Sequence, residues 1–87
     1  MSRYKVIIER RPQKALGKLP NQIQRRIRKA LFALAEEPRP RGARQLKGDE
    51  DAYRIRVGDY RVIYEIRDKV LVVLVIRIAH RSKAYKK

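Results

Sequence analysis

Cysteine is absent from this chain of 87 residues, which excludes a disulfide framework, a zinc ribbon and thiol chemistry. Histidine is represented once, by His80, so no cluster of imidazoles can build a metal centre. Acidic residues are scarce. Nine Asp and Glu stand against 24 Lys and Arg, a formal net charge of +15, and a field of that sign attracts polyanions: RNA, DNA or an acidic protein partner. Long apolar runs are also missing. The longest, "VLVVLVI" from Val70 to Ile76, is too short to span a bilayer and reads as a buried strand. The opening "SRYKVIIE" lacks the apolar region of a signal peptide. These absences lead us to expect a cytoplasmic protein with no membrane partner.

What is present suits one small ordered domain over residues 1–87. The hydrophobic share of 44% is enough for a core, although a chain this short buries a modest fraction of its surface. Tyr4 to Glu9 is rich in Val and Ile and reads as a strand. A short helix is expected from Pro12 to Lys18, with Ala15, Leu16 and Leu19 at helical spacing. Pro20 opens a second helix that ends at Glu36 before Pro38. Ile23, Ile27, Ala30, Leu31 and Leu34 form one helical face, and Arg25, Arg26, Arg28 and Lys29 lie off it as a solvated face. "EEPRPRGARQLKGDED" is a loop region with a short strand near Arg44–Lys47, and the acids Asp49, Glu50 and Asp51 are read as solvated loop residues. A long apolar strand from Val70 to Ala79 follows. The fold class expected is α+β, a small and mainly antiparallel sheet with two N-terminal helices packed on one face.

The segment "AYRIRVGDYRVIYEI", residues 52–66, contains two short strands joined by Gly58-Asp59, a two-residue hairpin loop. That loop fixes the register, with Arg56 opposite Arg61 and Arg54 opposite Ile63. Side chains alternate along each strand. Tyr53, Ile55, Val57, Tyr60, Val62, Tyr64 and Ile66 therefore form an apolar face for the core. Arg54, Arg56 and Arg61 share the other face, which the helices leave open. Like charges directly opposite each other cost a few tenths to about 1 kcal/mol. Such a pair either spreads into water or holds an anion.

The segments "LKGDEDAYRIRVGDYRVIYEI" (46–66) and "VIRIAHRSKAYK" (75–86), in this order and at this length, resemble the RelE/ParE superfamily of type II toxin–antitoxin toxins, nearest the RelE branch of mRNA interferases. The resemblance implies ribosome-dependent, metal-independent cleavage of mRNA and inhibition of translation, with no cofactor. The 2′-hydroxyl attacks the adjacent phosphate and leaves a cyclic phosphate and a 5′-hydroxyl. It implies that Arg54, Arg56 and Arg61 lie against the RNA backbone and scissile phosphate, that Arg81 aids the leaving 5′-oxygen, and that Tyr85 stacks on or orients a base. Arg77, Lys83, Lys86 and Lys87 add RNA-binding charge. The expected partners are a cognate acidic antitoxin (RelB-like), the ribosome and mRNA, with a free monomer and a larger complex with antitoxin.

Arginines occupy Arg54 and Arg56 where some members carry lysine, and arginine is a poor base. His80, beside Arg81, is therefore a candidate base or leaving-group assistant, or else a histidine fixed structurally at a strand end. Two other functions stay open at this level. One is a ParE-like DNA gyrase inhibitor without nuclease activity, and the other is a basic RNA-binding protein without catalysis.

Overall fold

In the computed structural model, which describes residues 3–84, the chain runs β1 (Lys5–Ile8), α1 (Arg10–Gly17), α2 (Asn21–Glu36), β2 (Arg44–Leu46), β3 (Asp49–Val57), β4 (Tyr60–Arg67), β5 (Val72–His80) and a short α3 (Arg81–Ala84). The strands form one sheet in the order β1-β5-β4-β3-β2. β1 pairs with β5 in parallel and the other pairs are antiparallel. The expected α+β architecture is what the chain adopts.

Three boundaries differ from the sequence reading by two residues or more. α1 begins at Arg10, because Pro12 is tolerated within a first helical turn, where its missing N–H has no intrahelical acceptor in any case. Asp49, Glu50 and Asp51 are not in a loop: the chain turns at Gly48 (φ +86) and they open β3. Val70 is not in the last strand. The connection after β4 winds through a 3-10 turn at Asp68–Val70 and a left-handed Leu71 (φ 55), so β5 starts at Val72.

The core lies between the helices and one face of the sheet. Leu16, Ile27, Leu31 and Leu34 meet Ile55, Val57, Val62, Tyr64, Ile66, Val73, Val75 and Ile78. The stripe expected on α2 is the buried one, and its arginines and Lys29 are exposed. The tyrosines of the hairpin serve packing. Tyr64 is fully buried and stacks on Tyr53 with ring centroids 6.2 Å apart.

The Tyr64 hydroxyl donates to the carbonyl of Pro38 at 2.7 Å, which ties the segment between α2 and β2 to the sheet. Burial pushes the Tyr64 hydroxyl well above the ordinary tyrosine pKa, so it stays a donor. The same segment is held from outside. Arg39 donates to Asp68 at 2.8 Å and to the Tyr53 hydroxyl at 3.2 Å, and Tyr4 donates to Asp68 at 2.6 Å. These bonds from Arg39 and Tyr4 hold the Asp68 carboxyl below its usual range. Tyr64→Phe leaves the buried Pro38 carbonyl without this donor, and a loss of about 1–3 kcal/mol is expected, read as a lower denaturant midpoint at unchanged slope.

Candidate functional site

Strand pairing gathers the arginines that the sequence scatters. Arg44 on β2 is the partner of Arg54 on β3, and Arg56 on β3 faces Arg61 on β4. Arg77 on β5 faces Ile63 on β4. All five share the face of the sheet away from the helices, because the core residues Ile55, Val57 and Val62 alternate with them. Gly42, Arg44, Arg54, Ile55, Arg56 and Arg61 line a pocket of about 210 Å³. Arg54 and Arg61 are half-buried, and Arg44 and Arg56 are exposed. A partly desolvated guanidinium is screened less by water, so an anion in this pocket is held more strongly than at an open surface.

Acidic and basic residues separate along the strands. Asp49, Glu50 and Asp51 stand at the start of β3, Glu65 at the end of β4 and Asp68 just after it, and the ion pairs Arg67–Glu65 (2.6 Å) and Arg39–Asp68 (2.8 Å) lie there too. The pocket lies toward the other end, near the hairpin loop. There Gly58, at the first central position of the loop with φ +60, permits the tight reversal. A methyl group on Gly58 would sit 3.2 Å from Nη1 of Arg26, so α2 delivers one of its cations to this tip. The Arg81 backbone N–H donates to the Asp59 carbonyl at 2.7 Å, which fixes the start of α3 beside the same loop, with Arg81 exposed.

His80 is not on the arginine face. β5 carries an irregularity where Ile63 pairs with Arg77 but Tyr64 pairs with Val75, so Ile76 is an extra residue. One inserted residue exchanges the faces of everything after it. Arg77 and Ala79 thereby join the open face, and Ile78 and His80 turn to the helix side. His80 pairs with Tyr60 and meets its ring edge-on at 5.3 Å. Its Nδ1 accepts the Ser82 backbone N–H at 3.3 Å, with Ser82 Oγ at 3.1 Å. That bond places the ring proton on Nε2 and engages the basic nitrogen at the start of α3. The geometry is that of a helix-capping side chain.

His80→Ala is accordingly expected to cost about 1 kcal/mol of stability and to change the mRNA cleavage that the resemblance implies by less than about tenfold. A fall of roughly 10²–10⁴ in rate is the mark of a general base and would restore that role.

Of the remaining candidates, Lys83 lies in the backbone of α3. Tyr85, Lys86 and Lys87 lie outside the described residues. Arg44 was missed by sequence reasoning as a site residue. Its short strand was expected, but its register across the Gly48 turn is shifted between Gln45 and Leu46, which alternation alone does not reveal. Among the described residues, no group of three or more His, Asp and Glu could hold a metal ion. Asp49, Glu50 and Asp51 follow one another along a strand, so neighbours point to opposite faces.

A family model described as "ParE toxin of type II toxin-antitoxin system, parDE" matches residues 6–85. The chain is 30% identical to the mRNA interferase toxin RelE of Escherichia coli K12 over 83 residues, covering 93% of this chain and 86% of that one. Among solved structures, it is similar to the archaeal RelE–RelB complex of Pyrococcus horikoshii, at 36% identity and a TM-score of 0.80, covering 93% of this chain and 98% of that one. It also matches the toxin–antitoxin complex RelBE2 of Mycobacterium tuberculosis at 30% identity and a TM-score of 0.80, over 94% and 95% of the two chains.

Proposed function

We propose, from the premise that this chain belongs to the ParE toxin family of type II toxin–antitoxin systems, that it is a toxin that inhibits translation by cutting mRNA on the ribosome. One observation carries this reading: the pocket of Arg44, Arg54, Arg56 and Arg61 on the uncovered face of the sheet, in a chain similar to an mRNA interferase along most of its length. Arginine forks fit phosphate oxygens, and four of them around one pocket match the negative charge that builds on those oxygens during transesterification. The 2′-oxygen forms a bond to phosphorus as the bond from phosphorus to the 5′-oxygen breaks. The 2′ proton passes to water, and the departing 5′-oxygen takes one up beside Arg81. The products are a 2′,3′-cyclic phosphate and a 5′-hydroxyl, and none of these steps draws on a metal ligand set.

The matching family model is named for a ParE toxin, which keeps the ParE-like alternative raised by the sequence, a DNA gyrase inhibitor without nuclease activity, as a second reading. In vitro translation separates the two. An interferase leaves cut mRNA with new ends, whereas a gyrase poison spares translation and blocks supercoiling.

An acidic antitoxin is the expected partner, by likeness to the RelE–RelB complexes and by complementarity to a charge of +15. Phe32, 78% exposed, and Arg28 rim a cleft with Val6, Ile8 and Leu31 between β1 and α2, which suits an apolar residue of such a partner. Affinity for the antitoxin is expected to fall steeply between low and high salt. A salt-independent affinity would remove the electrostatic share of this interface.

A further inference from the structure

α1 and β5 enclose a second groove that the arginine pocket does not include. Its volume is about 440 Å³, and Arg11, Pro12, Ala15, Ile76, Arg77, Ile78 and Ala79 line it. The groove exists because β1 is short. Its last pair with β5 is Ile8 with Val75, so beyond Val75 the outer edge of β5 is flanked by α1 rather than by a strand. The bulge at Ile76 then brings Arg77 and Ala79 to the open face, with Ala79 paired to Arg61 of the arginine pocket. That pair, with one member in each lining, sets the two depressions side by side on neighbouring strands. From β2 to β5 the cationic track crosses three strand spacings, about 14 Å, and ends on Arg11, which is exposed.

We propose that this groove is a nucleotide subsite of the same RNA track, taking a nucleotide that flanks the cleaved position, and this rests on the reading of the arginine pocket as the phosphate site. The lining divides as a nucleotide does. Pro12, Ala15, Ile76 and Ile78 offer an apolar floor for the face of a base, and Arg11 and Arg77 flank it with charge for the adjoining phosphate. A base set against an apolar or aromatic floor is bound through its face and so with little sequence preference. The subsite therefore adds affinity and fixes the position of the strand, while phosphate contacts set its register.

The test is equilibrium binding of an RNA ladder that cannot be cut, made by placing a 2′-deoxy residue at the cleaved position. The shortest RNA covers only the two nucleotides around the cut, and each longer one adds a nucleotide at one end. For the wild-type chain, extension at one end is expected to tighten binding about tenfold, with a salt slope steeper by about 0.7 for the added phosphate. Arg11→Ala removes that extra slope and most of the gain, and Ala15→Trp, which plugs the groove without altering charge, removes the gain as well. Both variants bind the shortest RNA as the wild type does, and their thermal midpoints show whether they fold. A gain that survives in both variants, or an equal loss on short and long RNA, overturns the subsite. So does a wild-type ladder with no extension gain, the result expected if the β5 edge takes a peptide strand instead. If the wild type cuts no mRNA on ribosomes yet loses its extension gain in both variants, the subsite stands and the nuclease reading falls.

Discussion

Arg61→Ala is expected to lower the cleavage rate by about 10²–10³-fold, the usual cost of deleting one preorganised donor to a developing oxyanion, while the chain still folds. Arg61 faces Arg56 across the hairpin and lines the pocket with Arg44 and Arg54. Its Nε is buried, so the guanidinium is held from a partly enclosed position. Removing its charge relieves a cross-strand repulsion of a few tenths to about 1 kcal/mol, which offsets part of the packing lost with the side chain. Single-turnover cleavage on programmed ribosomes and a denaturant melt read the two quantities separately. Arg61→Lys is expected to recover only part of the rate, since a point charge cannot make the forked contact. An Arg61→Ala chain that cuts at the wild-type rate would move the phosphate elsewhere on the protein, and one that does not fold would make Arg61 a structural residue.

A substrate carrying a single 2′-deoxy or 2′-O-methyl nucleotide just 5′ of the cut is expected to resist cleavage altogether. The described residues offer arginines and no cluster of metal-ligating side chains, and the basic nitrogen of His80 is engaged by Ser82. A protein so equipped stabilises charge well and activates water poorly, so the nucleophile is best supplied by the substrate itself. The unmodified mRNA is then expected to yield a 2′,3′-cyclic or 3′-phosphate and a 5′-hydroxyl, which end-labelling distinguishes from a 5′-phosphate. Cleavage in pre-formed complexes should continue after EDTA is added, with the ribosome's own magnesium requirement already met. Normal cutting of the 2′-deoxy substrate, or 5′-phosphate ends, would mean a water nucleophile and another chemistry on the same fold.

The sequence by itself determined the features that depend on near neighbours. The stripe from Ile23 to Leu34 specifies a helix with one buried face, and Gly58-Asp59 sets the register of Arg56 against Arg61, because a two-residue loop leaves no freedom in pairing. That register and the period of two are together sufficient to define the cationic face of the hairpin. Chain length and the chemistry of the hairpin and tail were enough to point to the superfamily. Tertiary structure decided what depends on non-local pairing. Arg44 entered the pocket only through its partnership with Arg54, across a strand of three residues with a shifted register. His80 left the arginine face because of one residue, Ile76, that pairing with β4 leaves over. Whether a strand keeps or breaks its alternation is settled by the strand it lies against, since the extra residue is accommodated in the ladder between the two. A bulge of that kind has no dependable mark in "VLVVLVIRIAH", where apolar residues stand on both sides of the break. The groove beside α1 has the same origin: it opens where β1 stops pairing with β5, and that end point belongs to the pair of strands rather than to either sequence alone.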